Sequence, residues 1–260
     1  MQPPGTSHGS DQGPVNARAI EPAAVASWPA REKIEADGWL LRFTDGYSQR
    51  ANSVATHRFS GGDLDTAIEA AEKEYRARNL APLFQITPVS QPAGLEAALQ
   101  TRGYEMLSPA FVMRAQTGAV RVLDAPGVKA ALVETENRAF TRLVVAGSHS
   151  PEDGAERMFL LSRIALPHAC LLAFDGDMPV ACGVCVIANG LGGIYLMRTD
   201  AAWRRRGYGK AVLKVLAQWA SNAGAAALYL QAEDANAPAR ALYARMGFAE
   251  AYSYRFWRQP

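Results

Sequence analysis

The chain has 260 residues, of which 49% are hydrophobic and 20% are charged, with a formal net charge of +2 at neutral pH. This is the composition of a globular protein of one or two domains with enough apolar material for a core. The near-neutral charge argues against a large nucleic-acid-binding surface, and no apolar run reaches the roughly 18 residues that a membrane span needs.

The first 18 residues are rich in proline, glycine, serine and glutamine and contain no apolar core of the kind found in a signal peptide. We therefore expect a flexible tail at residues 1–18 and, because no targeting segment is visible, a cytoplasmic protein.

Residues 19–115 carry alternating strand and helix patterns. The sequence predicts a helix from Asp63, a possible N-cap, to Arg78, and strands at residues 38–43, 51–55 and 82–86. A second, shorter helix follows Pro92 and ends at Gly103. Arg50 and Asn52 are able to line a pocket there, but turn and strand-edge roles are favoured for both residues.

The next segment predicts a short strand at residues 120–123, a helix at 128–140 and a second helix that starts at Pro151 and ends before Pro167. Apolar strands are expected at 170–174 and 180–188 around the turn Asp175-Gly176-Asp177, and Asn189-Gly190 marks a further hairpin turn.

The three cysteines do not indicate a disulfide framework. Cys182 and Cys185 have the spacing of a redox or zinc motif, but they fall within a predicted strand, where residues three apart point to opposite faces. The four histidines add no ligand spacing, so no metal site is expected.

A basic glycine-containing loop, Arg204-Arg205-Arg206-Gly207-Tyr208-Gly209-Lys210, lies between the apolar strand 193–197 and a predicted helix at 211–223. The first amides of a helix have no intrahelical acceptor, and the helix dipole makes that end positive. A pyrophosphate placed there meets N–H donors and positive charge together. A solvated basic helix start is the alternative interpretation of this loop.

A second pattern follows the strand at 228–231. Asn236 suits a helix N-cap, Pro238 the first turn and Gly247 the residue after the helix end. Asn236, Arg240 and Tyr243 are spaced four and seven apart, so they lie on one face of this helix. Tyr243 by itself is more typical of an ordinary half-buried aromatic residue.

Together, the basic Gly-x-Gly loop, the helix, the strand and the Asn…Tyr pair resemble the GNAT superfamily of acyl-CoA-dependent N-acyltransferases, over roughly residues 119–260. The resemblance implies an α/β fold, a mixed sheet flanked by helices, and acetyl-CoA as co-substrate without a metal. The residues that it assigns to coenzyme A are Leu196, Met197, Arg198, Thr199, Arg204, Arg205, Arg206, Gly207, Tyr208, Gly209, Lys210, Asn236 and Tyr243.

Residues 19–115 repeat the order strand, helix, strand, helix and Gly-aromatic of the later segment. This half resembles a degenerate copy of the same fold, as in bacterial two-module GNAT proteins, with the catalytic copy at 116–260. Ser60-Gly61-Gly62-Asp63 replaces the basic loop and Leu99 replaces Tyr243, so this copy is not expected to bind coenzyme A. Two fused copies favour a monomer.

The function implied is transfer of the acetyl group of acetyl-CoA to a primary amine by direct attack in a ternary complex. By resemblance, Tyr243 protonates the departing thiolate. Glu233 is ranked first as general base, ahead of Asp234 and His149, and Thr141–Glu152 is expected to form a mobile loop on the substrate side. Two other functions stay open, namely a non-catalytic acyl-CoA-binding sensor and a nucleic-acid-binding module.

Overall fold

The computed structural model describes residues 12–121 and 127–260. Its helices are α1 (Gln12–Ser27), α2 (Leu64–Arg76), α3 (Leu95–Thr101), α4 (Thr117–Arg121), α5 (Arg138–Ala146), α6 (Pro151–Ser162), α7 (Tyr208–Asn222) and α8 (Ala237–Arg245). The strands are β1 (Glu32–Ala36), β2 (Trp39–Phe43), β3 (Val54–Ala55), β4 (Leu83–Ile86), β5 (Glu105–Met106), β6 (Ala110–Gln116), β7 (Lys129–Val133), β8 (His168–Asp175), β9 (Met178–Ala188), β10 (Leu191–Thr199), β11 (Ala227–Glu233) and β12 (Ala249–Arg258).

The strands form one mixed sheet in the order β1-β2-β3-β4-β12-β6-β11-β10-β9-β8-β7, with β5 added at β12. The C-terminal strand β12 connects the halves of this sheet. Its first part, residues 249–254, pairs with β6, and its last part, residues 255–258, pairs with β4. The boundary expected between residues 115 and 116 falls within β6, which pairs along its length with β11.

Two parallel strand pairs are each connected by a helix. β10 pairs with β11 and the connection is α7, whereas β3 pairs with β4 and the connection is α2. Since parallel neighbours need a crossover, helices must cover the sheet at both places. The mixed α/β architecture expected from the sequence is therefore confirmed.

Helices cover both faces of the part of the sheet formed by β6–β12. One core holds side chains from α1, α5 and α6, including Ile20, Phe140 and Leu160. A second core holds side chains from α7 and α8, including Leu216 and Tyr243. Cys182 belongs to the first core and Cys185 to the second, so the expected opposite orientation of the two thiols is confirmed. Burial raises the pKa of both to about 12.

The expectation of a flexible tail is wrong for residues 12–18, which form the start of α1, while residues 1–11 lie outside the described part of the chain. Ala17, Ile20 and Ala23 are buried and recur every three residues, so α1 packs one face against the core. The proline- and glycine-rich composition of the segment obscured this spacing.

Three further expectations before β8 are wrong. Residues 120 and 121 belong to α4, whereas 122 and 123 lie outside the described residues. Residues 129–133 form the edge strand β7, in which Leu132 is exposed, and the helix begins only at Arg138 after the Asn137 cap. Most of the expected loop Thr141–Glu152 is helical, so only residues 147–150 connect α5 to α6.

Within the two described ranges, no helix combines the length and apolar content required to cross a bilayer. The cytoplasmic location stays a prediction.

A buried carboxylate joins the two halves of the chain. Glu156 of α6 is 2% exposed and accepts hydrogen bonds from the backbone N–H of Ser48 at 2.6 Å and of Tyr47 at 3.1 Å. The Asn52 side-chain amide donates to the same carboxylate at 3.3 Å. The carboxylate therefore holds residues 47–52 of the first half against α6 of the second.

Replacement of Glu156 by glutamine should lower the free energy of unfolding by about 2–3 kcal/mol, because an amide NH₂ would then face buried N–H donors. Glu152→Gln is the control, since Glu152 is exposed on the same helix. Urea denaturation followed by circular dichroism measures both changes. Equal stabilities for the two variants would contradict this role of Glu156.

Candidate active site

Strands β10 and β11 separate halfway along their length. Their pairing runs from Leu191 opposite Ala227 to Ile194 opposite Leu230 and goes no further. Beyond that point, β11 stays paired with β6 as far as Glu233, while β10 stays with β9. A gap therefore opens in the middle of the sheet.

A bulge in β10 lies beside this gap. Tyr195 is opposite Val184 and Arg198 is opposite Cys182, so β10 has one residue more than β9 across this interval. Leu196 has a φ of +49°, a left-handed conformation that is rare for a residue with a side chain. The bulge moves Leu196 and Met197 out of register with β9 and turns their peptide groups, as bulges near active sites commonly do.

A cavity of about 740 Å³ occupies the gap. Strand residues 194–198 and 230–233 form its centre, and Asn236, Ala239 and Tyr243 lie on one side of it. Further lining residues come from the first half of the chain and from the α5–α6 region, namely Trp28, Tyr47, Gln49, Arg50, Gly147, His149 and Arg157.

The basic loop follows the open end of β10. Gly207 has a φ of +89° and is the N-cap residue of α7, with no side chain capping the helix. Within the described residues, the amides of Tyr208, Gly209 and Lys210 have no hydrogen-bond acceptor, and Arg204, Arg205 and Arg206 are exposed. This helix start therefore offers free N–H donors and positive charge to an anion, as expected.

The loop residues and Thr199 are not part of the cavity wall. Gly209 nevertheless connects them to it, because a Cβ on Gly209 would lie 3.5 Å from Leu242 and 3.7 Å from the Thr199 hydroxyl. Leu242 precedes Tyr243, and Thr199 follows Arg198. The helix start thus adjoins both sides of the cavity.

Tyr243 lies on α8, where the local sequence signals act as predicted. The Asn236 side chain accepts a hydrogen bond from the amide of Ala239 at 3.2 Å, and Gly247 ends the helix with a φ of +84°. The ring is 9% exposed, and its hydroxyl has no hydrogen-bond partner among the described residues. Burial raises the Tyr243 pKa, and the nearby Arg198 charge partly opposes that rise.

The three candidate bases differ in position. Glu233 lies at the exposed end of β11 and lines the cavity, as does His149. Asp234 lies outside the cavity wall, and its carboxylate pairs with Arg240 at 2.7 Å. The geometry therefore keeps Glu233 and His149 as candidates and removes Asp234.

Sequence reasoning missed an aromatic cluster of Trp28, Tyr195 and Tyr229, of which Trp28 and Tyr195 line the cavity. Trp28 stacks on Tyr195 with ring centroids 5.3 Å apart, and the Tyr195 and Tyr229 hydroxyls are 2.9 Å apart. The first half of the chain supplies Trp28, and the second supplies the tyrosines. No spacing pattern relates residues so far apart in the chain.

Arg50 and Asn52 have different roles. Asn52 has the expected turn role, because its side-chain oxygen accepts from the Thr44 amide at 2.6 Å and its NH₂ donates to the Ser48 carbonyl. Arg50 instead lines the cavity, where it donates to the Gln231 side-chain oxygen at 2.6 Å. The expectation of a turn or strand-edge role is therefore wrong for Arg50.

The described residues contain no cluster of three or more His, Cys, Asp or Glu side chains arranged to hold a metal ion. His149 and His168 lie in different pockets.

The divided sheet with a basic helix start beside it defines the GNAT type of N-acetyltransferase fold. The structure is similar to a GCN5-related N-acetyltransferase from Kribbella flavida, with a TM-score of 0.72 and 19% identity over 95% of each chain. It is also similar to a tandem GNAT protein from the clavulanic acid biosynthesis pathway, solved without AcCoA, with a TM-score of 0.57, 13% identity and coverage of 74% of this chain and 67% of that one.

Residues 15–257 match the family described as "Probable histone acetyltransferase Rv0428c C-terminal", and the chain belongs to this family. An uncharacterized N-acetyltransferase from Bacillus subtilis, YobR, is 29% identical over 236 residues, which are 89% of this chain and 94% of that protein. The GNAT resemblance of the sequence is thereby confirmed.

Replacement of Gly193 by alanine should disturb the aromatic cluster of Trp28, Tyr195 and Tyr229. The added Cβ would lie 2.6 Å from the Tyr229 hydroxyl and from the Tyr195 ring. Overpacking of this kind costs about 1–3 kcal/mol of unfolding free energy. Gly118→Ala is the control, since its Cβ would meet nothing within 4 Å. Denaturation midpoints that are unchanged for Gly193→Ala would contradict the packing described.

Proposed function

We propose that this chain transfers the acetyl group of acetyl-CoA to a primary amine by direct attack within a ternary complex. The observation that carries the proposal is the juxtaposition of an open strand gap, an uncapped basic helix start and the Tyr243 hydroxyl around one cavity. The chain's membership of an acetyltransferase family supports it.

The residues present fit coenzyme A. The amides of residues 208–210 and the three exposed arginines would hold its pyrophosphate, and Gly207 and Gly209 leave the helix start open. The unpaired edge of β10 at Leu196–Thr199 would hold the pantetheine arm, with Asn236 beside it. Acetyl-CoA supplies the thioester, whose acetyl group is transferred to the amine.

Side chains of the protein would remove the proton from the amine and supply the proton to the departing thiolate. An alkylamine is mostly protonated at neutral pH and must lose a proton before attack, for which Glu233, or His149 in its place, is positioned on the cavity wall. An N–H group of the β10 bulge would stabilise the oxyanion. Tyr243 would donate its proton to the departing thiolate, a useful but modest contribution because a thiol pKa is only about 8.5.

The first half, residues 19–115, is proposed to be a degenerate copy of the same module that supports the catalytic half. Its corresponding helix start is already occupied, because the Asp63 carboxylate accepts from the Thr66 amide at 2.8 Å. Leu99 is fully buried and offers no hydroxyl. The similarity to a tandem GNAT protein supports this arrangement, and a fused pair favours a monomer.

A non-catalytic acyl-CoA-binding sensor is the second candidate. It would keep the basic helix start but would need no proton donor. The unpartnered Tyr243 hydroxyl on the cavity side favours the enzyme.

Gly209→Glu should weaken acetyl-CoA binding at least about tenfold, which corresponds to about 1.4 kcal/mol. A carboxylate in the first turn repels the pyrophosphate and yet favours the helix, so lost binding would not reflect unfolding. Gly209→Ala is the matched control without charge, and its Cβ fits in ordinary contact. Calorimetry compares both with the wild type. Wild-type protein that does not bind acetyl-CoA would disprove the proposal.

Tyr243→Phe should lower kcat by about 100-fold, the lower limit for loss of a general acid, while the Kd for acetyl-CoA stays unchanged. The ring is kept, so the packing against Phe248 persists. Thiol release with an accepted amine measures the rate. Full turnover by the variant would remove Tyr243 from the chemistry, and tight acetyl-CoA binding without transfer to any amine would favour the sensor.

A further inference from the structure

The cavity wall is rich in guanidinium groups. Arg50, Arg157 and Arg198 all line it, and they come from the first half, from α6 and from β10 respectively. The pyrophosphate donors lie elsewhere, at the start of α7, so these arginines are not needed for that anion.

Arg157 is held in place by a buried ion pair. Its Nε donates to the Asp153 carboxylate at 2.8 Å, and the other Asp153 oxygen accepts from the His149 amide at 3.0 Å. Asp153 is 2% exposed. Among the described residues, the two terminal nitrogens of Arg157 make no hydrogen bond, so the outer edge of a fixed guanidinium remains available.

Arg198 has no ion-pair partner among the described residues. Its Nε is buried without any hydrogen-bond partner in the described part of the chain, and one terminal nitrogen donates to the Met197 carbonyl at 3.1 Å. The side chain crosses directly over Gly147, where an added Cβ would overlap it. Burial, and after it the nearby Arg157 charge, lowers the Arg198 pKa.

The carboxylates around this wall have other partners or lie at its edge. Asp153 pairs with Arg157, Glu156 accepts backbone N–H groups of residues 47 and 48, and Glu233 lies at the exposed end of β11. The buried Glu21 accepts from the Tyr252 hydroxyl at 2.6 Å. Within the described residues, Arg50 makes its hydrogen bond to the neutral side chain of Gln231. Buried charges in proteins are normally paired, so a partner anion is expected from a ligand.

We propose that the acceptor is a small primary amine that carries a carboxylate, which Arg157 and Arg198 bind on the α6 side of the cavity. The inference depends on the proposed acetyl transfer. Guanidinium edges match the two oxygens of a carboxylate, and a fixed edge loses little conformational freedom on binding. Arg50 adds long-range attraction. A lysine-rich peptide would instead bring further positive charge to this wall.

The test compares amines that differ only in the carboxylate. Phenylalanine is paired with 2-phenylethylamine, tyrosine with tyramine and lysine with 1,5-diaminopentane, and phosphoethanolamine and a lysine-rich peptide complete the panel. Thiol release from acetyl-CoA gives kcat/KM for the full chain. We expect at least one acid to exceed its decarboxylated partner by about 100-fold or more, as sites built to bind a polar group do.

Arg157→Lys keeps a cation for Asp153 but removes the two-nitrogen edge. It should raise KM for the preferred acid about tenfold or more, and so lower the ratio of kcat/KM for the acid to kcat/KM for its decarboxylated partner. Arg163→Lys is the control, because Arg163 is exposed at the end of the same helix and does not line the cavity. If the role of Arg157 were merely structural, kcat/KM would fall equally for both substrates and their ratio would not change.

The outcomes separate this inference from the proposed function. Equal turnover of acids and decarboxylated amines, or preference for the peptide or phosphoethanolamine, would overturn the carboxylate assignment while acetyl transfer stands. Absence of acetyl-CoA binding would overturn the proposed function itself. If acetyl-CoA binds but no amine reacts, calorimetry on the CoA-loaded protein decides, since acids that bind no better than their decarboxylated partners would also overturn the assignment.

Discussion

The separation of β10 from β11 after Ile194 and Leu230 is the constraint on which the candidate site depends. Each strand keeps its other neighbour, so the sheet remains intact on both sides of the gap. The bulge around Leu196 lets β10 follow β9 while its free edge faces the cavity. A main-chain edge inside a sheet is an unsatisfied hydrogen-bonding surface, which gives an extended ligand a natural place to bind.

The first half of the chain closes this gap on the side away from α7. Three connections hold it there: the pairing of β4 with β12, the Glu156 carboxylate beneath residues 47–52, and the stack of Trp28 on Tyr195. The cavity therefore contains side chains from both halves, and neither half alone forms its walls. The first half of the chain is therefore needed for a complete cavity, although it has no basic loop of its own.

Local signals in the sequence predicted the α7–β11–α8 region well. The Gly207 turn, the Asn236 cap and the Gly247 helix end depend on a few adjacent residues, so a single sequence is sufficient to place them. The signals failed around residues 120–140, where an exposed edge strand carries a helix-like apolar spacing. They also failed for α1, whose small buried residues Ala17 and Ala23 are easily overlooked in a proline-rich segment.

The sequence by itself determined the kind of fold through its resemblance to a known family. It also determined the uncapped basic helix start and the position of Tyr243 on its helix, because both follow from short-range backbone chemistry. Only the tertiary structure decided that Arg50, Arg157 and Arg198 face one cavity and that Asp234 is outside it. Those relations depend on strand order and on the packing of α6 against the first half. Contacts between residues separated by 100 or more positions leave no periodic pattern in a single sequence.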